Sequence, residues 1–259
     1  MKSFNHYSGQ YFTIEEAKIY YEEAGNKNKP VLLMLHGGFG NVEDFNSILS
    51  FLPDQFHILG IDSRGQGKST LGAQKLTYER IQLDIESLLQ FLRIDKVSII
   101  GFSDGGIVAY RLASFSSLNI EKLVTIGSRW NINDALLTKE IFLKITPDSW
   151  KEKFPETYSS YRRLNPEANF NFLTTSILNM WLDTTPSGYP NESVSKINCP
   201  TLIVRGDNDH LLSRKSVADL AEHIKKSTLL NIPFAGHVAF QDQSEIFNTI
   251  LNQFLAHKN

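Results

Sequence analysis

Residues 97–110 read VSIIGFSDGGIVAY, a short run of β-branched apolar residues joined to an apolar helix-like segment through Gly101-Phe102-Ser103-Asp104-Gly105. No ordinary loop fits between the two halves, so the pattern is G-x-S-x-G between a strand and a helix. A turn that sharp forces its central residue into a strained backbone conformation. The strain is tolerable only where the residues two positions away lack a Cβ, as Gly101 and Gly105 do. Ser103 is then raised at a helix N-terminus, where unpaired N–H groups and the positive end of the dipole favour an anion. A glycine-rich turn with an incidental serine has the same five residues, so the rest of the chain must discriminate.

Working outward, residues 17–24 (AKIYYEEA) read as an early strand, and 31–35 (VLLML) as a strand buried on both faces that runs straight into His36-Gly37-Gly38-Phe39-Gly40. Helical spacing follows over 43–52. A strand over 56–61 ends in Asp62-Ser63-Arg64-Gly65-Gln66-Gly67-Lys68-Ser69, and an amphipathic helix covers 78–92. After the Ser103 turn comes a strand over 122–126. Strands alternating with helices at this spacing imply parallel pairing through right-handed crossovers, hence an α/β open sheet. Ligands of such sheets bind beyond the carboxyl ends of the strands, where His36, Asp62 and Ser103 are expected.

The alternation breaks over residues 129–198. This stretch holds all three tryptophans, Trp130, Trp150 and Trp181, with helical patches over 134–144 and 171–182 and turn signals at Pro147, Pro166 and Pro186. It reads as a helical cap inserted into a core made of residues 1–128 and 199–259. The cap leaves and re-enters the sheet at the carboxyl edge, so it should cover that edge and supply an apolar pocket wall. Phe39, Asp104 and Trp130 are the expected substrate-lining residues. The core resumes with a strand over 201–204, a helix over 213–225 capped by Ser213, a strand over 228–232 and a last amphipathic helix over 244–257.

The composition is that of an ordinary globular protein: 259 residues, 41% hydrophobic, with a net charge of −2 and no basic cluster to suggest nucleic acid. No segment offers the roughly 18 uncharged apolar residues of a membrane span, and the N-terminus has no secretory pattern. A cytoplasmic monomer or homodimer acting on a small molecule is expected, with no membrane partner. The single Cys199 allows no internal disulfide and reads as a packed thiol. No histidine pair or cysteine cluster has metal-ligand spacing, so neither metal nor cofactor is expected. A P-loop ending at Lys68-Ser69 would need glycine at Asp62, and a dinucleotide fingerprint from Gly101 would need glycine at Ser103.

A serine hydroxyl needs an adjacent base, and that base needs a carboxylate to fix its tautomer. Of seven histidines, His237 is the one in the loop after the last strand, and Asp207 and Asp209 end the strand before it. Asp209, further into the loop, is favoured; Asp207 beside Gly206 suits a turn. His36 reads as a structural residue of its loop, His210 as facing away, and His6, His57, His223 and His257 as surface or packing residues. Together with HGG after residues 31–35 and D-x-R-G-x-G-x-S after 56–61, these features resemble the α/β-hydrolase family over nearly the whole chain, in the chain order Ser103, Asp209, His237. The resemblance implies Ser103 as nucleophile, His237 as general base and Asp209 as orienting acid. It implies an oxyanion hole from the N–H groups of Gly38 and Asp104, with Phe39 as the alternative to Gly38.

The stretch GFSDGGIVA is similar to the turn of valacyclovirase-like (biphenyl-hydrolase-like) members, in which an aspartate after the serine helps recognise the α-amino group of amino-acid esters. Compensation of the helix dipole is the other reading of Asp104. The resemblance therefore implies a serine hydrolase that cleaves a small carboxylic ester through an acyl-enzyme. An aminopeptidase, a carbon–carbon hydrolase, a perhydrolase and a slow small-ligand receptor remain open on the same scaffold.

Overall fold

The computed structural model describes residues 3–257. Its strands are β1 (Gln10–Ile14), β2 (Ala17–Gly25), β3 (Val31–Leu35), β4 (His57–Ile61), β5 (Lys96–Phe102), β6 (Asn119–Ile126), β7 (Thr201–Gly206) and β8 (Ser227–Ile232). They form one sheet in the order β1-β2-β4-β3-β5-β6-β7-β8. The β1–β2 and β2–β4 pairs are antiparallel and the remainder parallel.

The inner strands β3, β4, β5 and β7 are buried on both sides, and the period-2 alternation of side chains explains how. In β3, Leu33 and Leu35 join one core with Ile99 of β5 and Leu123 of β6, whereas Leu32 and Met34 join another with Ile100 and Val124. The first core is covered by helices α2 (Tyr78–Phe91), α3 (Asp104–Phe115) and, near the far edge, α9 (Arg214–His223). The second is covered by α1 (Asn46–Leu49), α10 (Ala239–Asp242) and α11 (Ser244–Ala256). The outcome is a mostly parallel α/β sheet with helices on both faces. Ser213 caps α9 as expected, accepting the Ser216 N–H at 3.0 Å.

Three local departures have physical causes. The helix expected over 43–52 divides into a 3-10 turn, Val42–Phe45, and the short α1, because Asn41 and Asp44 form a capping box that tightens the first turn. β1 is mostly exposed, with only Phe12 and Ile14 turned towards the core, and is held by its pairing to β2. Between β6 and β7 run α4 (Ile132–Leu137), α5 (Lys139–Phe142), α6 (Pro147–Lys153), α7 (Pro155–Leu164) and α8 (Phe170–Trp181). Of these, α6 and α7 fall outside the expected helices; each starts on a proline at its first position, and α7 turns Tyr158 and Tyr161 towards the core.

Candidate active site

The turn after β5 has the predicted strain. Ser103 sits at φ 50°, ψ −115°, at the N-cap of α3, a region that residues with a Cβ rarely occupy. The flanking glycines are required by contact: a Cβ on Gly105 would lie 2.0 Å from the Leu35 carbonyl oxygen, and one on Gly101 would lie 2.5 Å from that of Gly105. Packing β3, β5 and α3 this closely leaves no room for any other residue.

Three distant segments meet at this turn. His237 Nε2 lies 3.1 Å from Ser103 Oγ, and His237 Nδ1 lies 2.9 Å from Asp209 Oδ2. The Asp209 side chain is fully buried, whereas that of His237 retains 17% exposure. Burial pushes the Asp209 carboxyl up, but the hydrogen bond and charge of His237, the Leu211 N–H and Arg205 outweigh it, and the net direction is down. With an anion on Nδ1, the ring carries its proton there and offers Nε2 as a base towards the hydroxyl.

Asp207 is engaged elsewhere. Arg214 donates to both its oxygens at 2.7 Å and Asn231 to one at 2.8 Å, and these bonds hold its carboxyl at about 2. Between two aspartates on one loop, burial and the direction of the loop separate the partner of the imidazole from a surface ion pair.

The loop after β3 faces the serine from the other side. The Gly40 N–H donates to the Gly37 carbonyl at 3.1 Å, closing a tight turn in which Phe39 adopts φ 61°. A Cβ on Gly38 would lie 2.5 Å from Asp104 Oδ2 and 3.0 Å from the Trp181 ring. The Asp104 N–H is in the first turn of α3 and has no acceptor within the helix. His36 acts structurally: its Nδ1 bonds the Gly37 carbonyl at 2.7 Å and its Nε2 accepts the Ser63 N–H at 2.9 Å.

The Asp104 side chain is the most constrained group in the site. Both its oxygens accept from Trp181 Nε1, at 2.9 and 2.8 Å, and one also accepts the Tyr78 hydroxyl at 2.9 Å. Burial raises its carboxyl, against the bonds from Trp181 and Tyr78 and the more distant charges of Arg129 and His237. Its near neighbours are thus neutral donors, and one of them comes from α8 in the insertion. Phe39 stacks on Trp150 with ring centroids 4.0 Å apart and meets Phe170 and Trp181 at 5.7 and 5.9 Å.

Trp130, expected to line this wall, is turned away from it. Its indole N–H donates to the Ser216 carbonyl at 3.1 Å and its ring packs on His223, so α9 claims it. The aromatic places fall to Trp150 and Trp181. A concentration of tryptophan in the insertion is legible in the sequence, but which ring turns inward is not. Tyr78, at the start of α2, left no signal at all. A cavity of about 410 Å³ opens to one side, lined by Leu71, Tyr161, Asn165 and Leu173 among others, without Ser103 or His237 in its wall.

Among the described residues, no group of three or more histidine, cysteine or acidic side chains is placed to hold a metal ion, and no helix is long and apolar enough to cross a membrane.

Comparison with known proteins agrees with this architecture. The chain is 24% identical to the AB hydrolase superfamily protein YisY of Bacillus subtilis, over 95% of this chain and 98% of that one. It is 27% identical to the human serine hydrolase BPHL, over 93% of this chain and 84% of that one. Among solved structures, a putative lipase from Acinetobacter baumannii superposes with a TM-score of 0.80 at 16% identity, covering 96% of this chain and 90% of that one. An esterase from Exiguobacterium antarcticum gives 0.75 at 24% identity, covering 93% and 96%. A family model described as the alpha/beta hydrolase fold matches residues 30–184. On sheet order, turn geometry and this match, the chain belongs to the α/β-hydrolase fold family.

Proposed function

We propose that the protein is a serine hydrolase acting on a small carboxylic ester or related acyl compound through an acyl-enzyme. The observation that carries this reading is the continuous line from Asp209 through both nitrogens of His237 to the Ser103 hydroxyl, at 2.9 and 3.1 Å. In this mechanism His237 takes the hydroxyl proton as Ser103 attacks the acyl carbon, while Asp209 stabilises the imidazolium that forms. The negative charge moves to the acyl oxygen, where the N–H groups of Gly38 and Asp104 receive it beside the positive end of α3. His237 then returns the proton to the leaving alkoxide, and water repeats the sequence to release the acid.

Residues 129–198 serve in this reading as a cap. Phe39, Trp150 and Trp181 form the apolar wall against which the acyl group packs. The buried indole N–H of Trp150 has no partner among the described residues, and is the unmatched donor in that wall. A carboxylate buried among neutral donors supports a second feature, a preference for acyl groups that bear an amine. A cation entering beside Asp104 would supply the charge its present partners lack. BPHL, 27% identical, is named a serine hydrolase, which agrees with the chemistry.

The test is labelling by a fluorophosphonate together with turnover across esters, amides and amino-acid esters. Wild-type protein should label and hydrolyse esters, and Ser103→Ala should do neither while remaining folded. Labelling that persists in Ser103→Ala places the nucleophile elsewhere. Tight binding of an ester without turnover points instead to a hydrolase-fold receptor.

A further inference from the structure

The loop that faces Ser103 is fastened at both ends to the segment after β4. At its front, His36 bonds the Gly37 carbonyl and accepts the Ser63 N–H, so that ring carries its proton on Nδ1 and is neutral. At its rear, the Val42 N–H donates to Asp62 Oδ1 at 2.9 Å. The other oxygen of Asp62 accepts the Lys68 N–H at 2.7 Å and meets His6 Nε2 at 2.8 Å. The remaining nitrogen of His6 lies 2.6 Å from Glu43 Oε1, in the 3-10 turn that ends the loop.

His6 is expected to be a surface or packing residue; it is a buried packing residue, and its bonds to carboxylates give it a further role. Its side chain is only 1% exposed and is bonded on both nitrogens to carboxylates. Ionised carboxylates only accept, so a ring between two of them donates twice and is an imidazolium. The surroundings suit a fixed cation. The Tyr20 ring stacks on it at 5.3 Å, and Glu22 accepts its backbone N–H at 3.0 Å. The Lys68 ammonium, which donates to the His6 carbonyl, is a like charge that acts against the cation and is opposed by the carboxylates of Asp62, Glu43 and Glu22. Burial alone would favour the neutral ring, but Asp62 and Glu43 outweigh it and raise the histidine above its ordinary range.

We propose that His6 is a positioning residue: as a buried cation it joins Asp62 to Glu43 and so holds the loop carrying Gly38 in its strained form opposite Ser103. Phe39 at φ 61° is an unfavourable conformation for a bulky residue, and such strain persists only where the surroundings over-determine it. His36 supplies that constraint on one side of the turn, and the His6 cluster on the other. The use of the loop as an oxyanion hole rests on the acyl-transfer reading above; the protonation of His6 and the bracing do not. As pH rises through the raised value of His6 the cation is lost, two carboxylates face a neutral ring, and the brace loosens.

The experiment combines kinetics on a p-nitrophenyl ester with nitrogen-15 NMR of the His6 ring and of the backbone amides of residues 37–40. In the wild type, both ring nitrogens should stay protonated to a higher pH than those of a histidine in an unfolded peptide. His6→Gln should lower kcat about tenfold with KM held within about twofold, since N–H groups aimed at an oxyanion act mainly in the transition state. It should also shift the Gly38 amide. Glu43→Gln, which removes one anion, should move the alkaline limb of kcat about one pH unit lower. A ring that loses a proton at or below the pH of an unfolded histidine, or a His6→Gln protein with unchanged kcat and Gly38 amide, overturns the proposal. If His6→Gln does not fold, the wild-type ring and Glu43→Gln decide. Absence of turnover in the wild type would overturn the hydrolase reading alone, because the ring and the loop amides would still report on His6.

Discussion

Two histidines each hold a carboxylate within 3 Å: His237 with Asp209 at 2.9 Å and His6 with Asp62 at 2.8 Å. They differ in what the second nitrogen meets. For His237 it is a hydroxyl at 3.1 Å, and the ring remains partly open to solvent. For His6 it is a second carboxylate, and the ring is buried. One carboxylate fixes the tautomer of an imidazole and leaves its other nitrogen free to exchange a proton. Two carboxylates saturate it and convert it into a fixed positive charge. In the proposed mechanism the same side chain is a proton carrier in one place and a structural cation in the other.

Removing either end of the His237 line should have the largest effect. His237→Ala is expected to lower kcat for an ester by about 10⁴-fold or more, as members of such a unit act together. Asp209→Asn should cost about 10⁴-fold through the wrong tautomer, whereas Asp207→Asn, which disturbs an exposed pair with Arg214, should stay within about threefold. A reversal of that order in steady-state kinetics would break the comparison by making Asp207 the orienting acid.

The next effect concerns selectivity. If an amine sits beside Asp104, then Asp104→Ala should reduce the preference for an amino-acid ester over its des-amino analogue by about tenfold in kcat/KM, the order of one buried charge-assisted bond. An unchanged preference leaves Asp104 as a dipole-compensating residue that ties α8 to the Ser103 turn. Trp181→Phe, which removes the indole donor from that carboxylate, should destabilise the fold by about 1–3 kcal/mol in denaturant titration.

The smallest effect sharpens the contrast between the two rings. A histidine raised by folding contributes stability that is complete below its unfolded value of about 6.5 and is lost as pH rises through the folded value. His6 is raised in this way. The gap in Tm between the wild type and His6→Gln should therefore narrow by a few degrees as pH rises from 6 through that folded value. A gap that widens with pH would mean that His6 is neutral in the folded protein.

The inner strands were legible because buried parallel strands read as unbroken apolar runs, and the Ser103 turn because its geometry admits so few residues. Asp209 over Asp207 was legible only as a preference, since two positions in one loop differ in direction rather than in local pattern. The surroundings of Asp104 and His6 were not legible. Tyr78 and Trp181 reach Asp104 from 26 and 77 residues away, and Asp62 reaches His6 from 56. Nothing in the local spacing of any of these residues marks its partner.

The amino-acid sequence by itself determined the alternation of strands and helices, the strained serine turn and the order of Ser103, Asp209 and His237 along the chain, because steric limits and side-chain periodicity act over a few residues. Only the tertiary structure decided that Trp130 turns to α9 while Trp150 and Trp181 face Phe39. It likewise decided that Asp104 is enclosed by neutral donors and that His6 is held between two carboxylates. Burial and charge are properties of a side chain's neighbours in space, and folding chooses those neighbours from the whole length of the chain.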